Sequence, residues 1–126
     1  MAGRSTTLVA EVGGTVAGFA DYGPTRDEDL DPRSHAELNS LYVLPAYWSC
    51  GYGFGLWSKV QSLLRPTDFA TLSLWVLEGN QRGRRFYERQ NCVLDRNATK
   101  LWRPETEALV EVRYSRRLRF DDGHPA

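Results

Sequence analysis

Several things are scarce in this 126-residue chain, and each scarcity excludes something. Cysteine occurs only at Cys50 and Cys92, far apart, with no Cys-x-x-Cys pair and only His35 and His124 as companions, so neither a zinc site nor a disulfide framework is indicated. No stretch approaches the roughly 18 apolar residues of a membrane span, and the opening Met-Ala-Gly-Arg-Ser-Thr lacks the apolar core of a signal peptide. A surplus of either charge is missing too: Lys+Arg and Asp+Glu balance at 16 each. Without a global basic field, neither nucleic acid nor an anionic membrane is the default partner, and any charge-based role must be local. The expectation is a cytoplasmic protein. Its length allows one domain, residues 1–126, with a real core. Asn97-Ala98-Thr99 matches a glycosylation sequon, which without secretion is a chance match.

The patterning present alternates strands with helices. Thr6 to Val12 and Thr15 to Tyr22 flank Gly13-Gly14 and read as a β-hairpin. Gly23 to Ser34 is rich in Pro, Asp, Glu and Arg and reads as a solvated loop. Asp27-x-Asp29-x-Asp31 within it resembles the start of a calcium loop, but Pro32 stands where that motif needs glycine and Leu38 where it needs a bidentate Glu. Ala36 to Leu44 is a strand. Leu56, Trp57, Val60, Leu63 and Leu64 then share one helical face until Pro66. Thr71 to Leu77 carries apolar residues on both faces, as a central strand does, which completes a βαβ unit. Asn80 caps a second helix running to about Gln90, and strands over Val93 to Leu101 and Ala108 to Tyr114 follow, joined through Arg103-Pro104-Glu105. The tail after Leu118 is expected to fray.

The chemistry concentrates in Leu41 to Trp57, which reads as strand, glycine loop and helix. Such a junction aims unpaired backbone N–H groups and the positive end of the helix dipole at one point, a seat for phosphate. A dinucleotide fingerprint would need glycine at position 56, where Leu56 stands, and the Gly-Lys-Ser/Thr of a P-loop is absent. On these residues alone, Gly51, Gly53 and Gly55 serve equally well to permit a tight turn and close packing.

Taken together, Glu37-Leu38, Leu41-Tyr42-Val43-Leu44-Pro45, the loop to Gly53, Leu74-Trp75-Val76-Leu77-Glu78, and Asn80 through Phe86-Tyr87-Glu88-Arg89 resemble the GNAT family of N-acetyltransferases, over roughly Thr6 to Leu118. The resemblance implies an α/β fold with a mixed, mostly antiparallel central sheet carrying helices, and acetyl-CoA as co-substrate. It implies that the pantetheine lies along Leu41 to Val43 and that the loop amides hold the pyrophosphate. The family pattern Gln/Arg-x-x-Gly-x-Gly/Ala maps onto Trp48-Ser49-Cys50-Gly51-Tyr52-Gly53, followed by Phe54. Both glycines match, Trp48 replaces Gln or Arg, and Ser49 and Cys50 stand where many members have Gly and Arg. Backbone contacts tolerate such changes, while a lost Arg removes a charge-assisted bond. Cys50 is either a thiol activated by these amides or an ordinary loop cysteine.

Acetyl transfer to an amine needs a neutral amine, a polarised thioester carbonyl and a proton for the departing thiolate. By resemblance, the backbone N–H near Val43 faces the acetyl oxygen and Tyr87 is the acid, its alternative being a packed aromatic. Glu37 is the candidate base, its alternative an exposed structural carboxylate. Asn80 contacts the cofactor, caps its helix, or does both. Arg82, Arg84, Arg85 and Arg89, and Arg113, Arg116, Arg117 and Arg119, read as solvated basic faces, with contact between the helix arginines and the CoA nucleotide as the other reading. Gly83 stands where the family has alanine, and Asn91-Cys92 where it has Gly-Phe. A small-molecule amine is the expected acceptor, on the ground that the acidic Asp27 to Asp31 loop attracts a cation. Family members place a strand and one or two helices ahead of the hairpin, which here begins almost at Met1. The expectations this raises are a shortened chain, completion of sheet or acceptor site by a homodimer partner, or a CoA-binding module without catalysis.

Overall fold

The computed structural model describes residues 4–102 and 109–119. Along the chain run β1 (Thr6–Val12), β2 (Thr15–Pro24), β3 (His35–Val43), a 3-10 turn (Pro45–Tyr47), α1 (Tyr52–Leu64), β4 (Thr71–Leu77), α2 (Gln81–Arg89), β5 (Val93–Trp102) and β6 (Leu109–Arg117). The class is the expected one, α/β with a mixed, mostly antiparallel six-stranded sheet. The expected Arg103-Pro104-Glu105 connection lies outside the described residues, as does the tail from position 120. The chain divides into two compact units, Met1–Leu72 with Arg117–Ala126, and Ser73–Arg116.

In the first unit the order is β1-β2-β3. Gly13 and Gly14 both take positive φ, 55° and 83°, as a two-residue hairpin turn of the type that matches strand twist requires. β1 and β2 pair antiparallel from Thr6↔Tyr22 to Val12↔Thr15. β2 and β3 pair antiparallel from Gly18↔Val43 to Pro24↔Ala36, with a bulge after Asp21. At that bulge the Asp21 carboxylate accepts hydrogen bonds from the Thr7 hydroxyl (2.8 Å) and the Asn39 amide (2.9 Å). These bonds, the one from Asn39 foremost, hold its carboxyl below the usual range. Gly18 sits where β2 and β3 come closest: a Cβ there would lie 2.5 Å from the Tyr42 carbonyl oxygen. α1 packs on all three strands and buries Leu56, Trp57, Val60 and Leu64. The sheet supplies Ala17, Ala20, Tyr22, Ala36 and Leu38 to the same core. Small residues on the sheet and large ones on the helix let the two layers approach to close packing.

In the second unit the order is β4-β6-β5, with β5 and β6 antiparallel and their register broken between Asp95 and Thr99. Leu74, Val76, Tyr87, Cys92, Val112 and Tyr114 are buried. Of the C-terminal arginines expected to form a solvated face, Arg117 and Arg119 are exposed, but Arg113 is not. Arg113 is buried, bonded to Asp95 through Nε (3.0 Å) and Nη2 (2.6 Å), and lies with Lys100 over the Trp75 ring. Cation–π attraction and two charge-assisted bonds to the partly exposed Asp95 carboxylate make burial of that guanidinium tolerable.

Trp57 is 1% exposed, whereas Leu63 on the same helix is 39% exposed. Trp57→Ala is expected to cost about 3–5 kcal/mol in urea unfolding, while Leu63→Ala costs less than about 1 kcal/mol.

Candidate functional site

The glycine loop is built by a sequence of local constraints. Pro45 starts the 3-10 turn, which is closed by Tyr47 N–H to the Leu44 carbonyl (2.8 Å) and Trp48 N–H to the Pro45 carbonyl (3.1 Å). Ser49 at φ 63° and Gly51 at φ 89° then turn the chain through left-handed conformations into α1. A Cβ on Gly51 would meet nothing within 4 Å, so what position 51 demands of its residue is the positive φ and not space. The positive φ of Ser49 likewise accounts for glycine being usual at that place in the family pattern. Gly51 is the N-cap of α1 and offers no side-chain cap, and the first turn holds no acidic residue. The amides of Tyr52, Gly53 and Phe54 therefore have neither an intrahelical acceptor nor a capping side chain. Aromatic rings flank them: Tyr47 and Tyr52 meet edge to face at 5.8 Å, and Phe54 is exposed.

Trp48 makes a contact that its sequence did not announce. Its indole Nε1 donates to the Val43 carbonyl at 2.8 Å, tying the loop back to the last residue of β3, while the ring stays 46% exposed. Leu41 pairs with Ala20 and Val43 with Gly18 along the same strand. Cys50 is exposed, its thiol 3.5 Å from the Trp48 carbonyl.

Glu37 lies earlier on β3, opposite Gly23. It is 3% exposed, which corrects the picture of an exposed structural carboxylate. One oxygen accepts from the Arg26 backbone N–H (2.9 Å) and the other from the Arg26 guanidinium (3.3 Å), whose side chain is 71% exposed. Sequence reading missed Arg26, since nothing in its neighbourhood marks one arginine of an acidic loop as the partner of a strand carboxylate. The acidic loop is itself compensated: Asp31 is bonded to Arg33 by its backbone and guanidinium, which keeps the Asp31 carboxyl below its ordinary range.

In the second unit Asn80 is the N-cap of α2, its side-chain oxygen accepting from Gly83 N–H at 3.0 Å. Gly83 is what permits this cap, because a Cβ there would lie 2.7 Å from the Asn80 amide nitrogen and 3.2 Å from Val76 Cγ2. Tyr87 is buried, with Phe86 edge-on at 5.2 Å, and burial drives its phenol far above the ordinary value, so it stays protonated. Asn91 takes φ 64°, a left-handed conformation that asparagine tolerates after a helix end, and Cys92 N–H bonds the Tyr87 carbonyl at 3.0 Å. Burial pushes the Cys92 thiol up to about 12. Arg84, read as part of a solvated face, instead donates to the Tyr114 hydroxyl (3.0 Å) and the Glu78 carbonyl (3.0 Å), and that hydroxyl donates to Glu88 (2.6 Å). Among the described residues no group of three or more His, Cys, Asp or Glu could hold a metal ion, and no helix is long and apolar enough to cross a membrane.

Solved structures share this arrangement of strands and helices. An N-acetyltransferase from Staphylococcus aureus Mu50 superposes with a TM-score of 0.78 at 20% identity, covering 91% of this chain and 68% of that one. The yncA protein of Salmonella typhimurium, solved with acetyl-CoA, gives 0.76 at 21% identity over 95% of this chain and 68% of its own. These likenesses show the fold. The sequence model of the acetyltransferase (GNAT) family matches residues 1–91, and the chain belongs to that family. It is 33% identical over 102 residues to an uncharacterised N-acetyltransferase of Mycobacterium tuberculosis (strain ATCC 25618 / H37Rv), covering 79% of this chain but 59% of that protein. With one of Archaeoglobus fulgidus the figures are 30% over 88 residues, 70% and 60%. The chain thus spans about three-fifths of the curated relatives it matches.

The two thiols are set apart by their surroundings. Iodoacetamide at pH 8 is expected to alkylate Cys50 in the folded protein and leave Cys92 unmodified, with peptide mass mapping showing Cys92 labelled only after denaturation.

Proposed function

We propose that this chain is an acetyl-CoA-dependent N-acetyltransferase acting in the cytoplasm on a primary amine, most simply that of a small molecule, by direct attack in a ternary complex. The observation that carries the reading is the uncapped N-terminus of α1, entered through left-handed Ser49 and Gly51, with the amides of Tyr52, Gly53 and Phe54 free of side-chain partners. Those amides suit a pyrophosphate, and membership of the family makes coenzyme A the pyrophosphate ester of choice.

When bound, acetyl-CoA supplies an activated thioester. The chain's own residues supply the rest. Leu41 and Val43 offer backbone groups to the pantetheine, with the Val43 region polarising the acyl oxygen. Trp48, Ser49 and Cys50 shape the loop. Glu37 takes up the amine proton, directly or through water. Its partner, the Arg26 guanidinium, sits on a side chain that is itself 71% exposed, so that arm can swing into water and leave the carboxylate to a substrate ammonium. Tyr87, kept protonated by burial, is the donor to the departing thiolate. Asn80 holds the start of α2 and thereby the helix that carries Tyr87.

Two measurements test this. Coenzyme A at about 100 times its Kd is expected to stabilise the chain by about 2.7 kcal/mol in thermal unfolding. Following thiol release from acetyl-CoA across a panel of amines should reveal turnover that falls about 10²–10⁴-fold in Tyr87→Phe and in Glu37→Gln. Because burial raises the Tyr87 phenol, wild-type turnover should show no loss from ionisation of Tyr87 through about pH 10, the ordinary phenol value. Stabilisation by coenzyme A with no turnover on any amine would mark a binding module instead.

A further inference from the structure

Every residue from Leu38 to Ser58 is uncharged, so the loop assigned above to a pyrophosphate has no cation of its own. Where the family pattern has Gln or Arg, Trp48 stands, and its indole N–H is spent inside the chain on the Val43 carbonyl at 2.8 Å. We infer that Trp48 is a positioning residue for coenzyme A: it locks the loop to the end of β3, so that preset backbone amides do the work elsewhere shared with a charged side chain. The inference rests on the acetyl-CoA reading of this loop.

The geometry supports it in three ways. The indole bond spans the same residues as the 3-10 turn, so Leu44 to Trp48 is closed by three hydrogen bonds: Tyr47 N–H to Leu44, Trp48 N–H to Pro45, and the indole to Val43. Trp48 is followed at once by the two left-handed residues, Ser49 and Gly51, that set the direction of α1's first turn. The bond also ends on Val43, the strand residue expected to face the acyl group, so one contact fixes both the seat of the phosphates and the strand beside the thioester. Rigidity of this kind contributes to affinity by reducing what must be ordered on binding, which matters most where no charge-assisted bond is on offer.

Titration calorimetry with coenzyme A tests the assignment. Trp48→Phe keeps an aromatic ring but loses the donor. It is expected to weaken coenzyme A about 3–10-fold, the loss appearing in KM for acetyl-CoA rather than in kcat, while the melting temperature of the ligand-free protein moves by no more than about 3 °C. Cys50→Arg adds a guanidinium beside the amides and should tighten coenzyme A about 3–10-fold. Wild-type-like affinity in Trp48→Phe, a parallel collapse of melting temperature and kcat in that variant, or no gain in Cys50→Arg would each overturn the positioning role. If the wild-type chain shows no heat of binding with coenzyme A, it is the acetyl-CoA reading itself that fails.

Discussion

Burial of one stripe of α1 governs the rest of the first unit. Leu56, Trp57, Val60 and Leu64 are driven out of water against β1, β2 and β3, and that apolar contact fixes the axis of the helix. With the axis fixed, the direction of the first-turn amides is fixed too, and so is the gap that the loop from Val43 must cross. The loop meets that demand with a proline-started turn, two left-handed residues and the Trp48 indole bond. The positions of the first-turn amides thus follow from hydrophobic packing some distance away, completed within the loop by the Trp48 indole bond.

The second unit has a different logic, in which polar groups are fastened to one another. Asn80 caps α2, Arg84 reaches back to Glu78 and across to Tyr114, and the Tyr114 hydroxyl donates to Glu88. Each end of a short, highly charged helix is thereby held by bonds to specific partners, since α2 buries little beyond Tyr87. The burial that raises the Tyr87 phenol also raises the Cys92 thiol beside it.

Much of this was readable from the chain alone, for physical reasons. Period-2 and period-3.6 apolar patterns report burial directly, so the strands and helices appear where Leu72, Leu74 and Val76, or Leu56, Val60 and Leu64, alternate as they do. Positive φ at Gly13, Gly14, Gly51 and Asn91 was likewise implied by residue type. What could not be read was the choice of partner between distant residues of common type. Arg113 gives no local sign that it will be buried against Asp95 and Trp75, nor Arg26 that it will clasp Glu37, nor Trp48 that its N–H will turn inward. Nor does the chain alone show why glycine stands at position 83, where a Cβ would crowd the Asn80 side chain and Val76. The strand, glycine loop and helix were legible from residue types alone, whereas the coenzyme A reading of that loop rests on the family.

Gly18 shows how far the constraint reaches. It lies in the middle of the hairpin, remote in sequence from the loop, yet any side chain there would strike the Tyr42 carbonyl and push Tyr42 and Val43 away from β2. The strand end that displacement would move is the one Trp48 grips. A lineage is therefore held to glycine at position 18 by a steric demand at the far end of β3, where any added side chain would displace the strand before it disturbed the core.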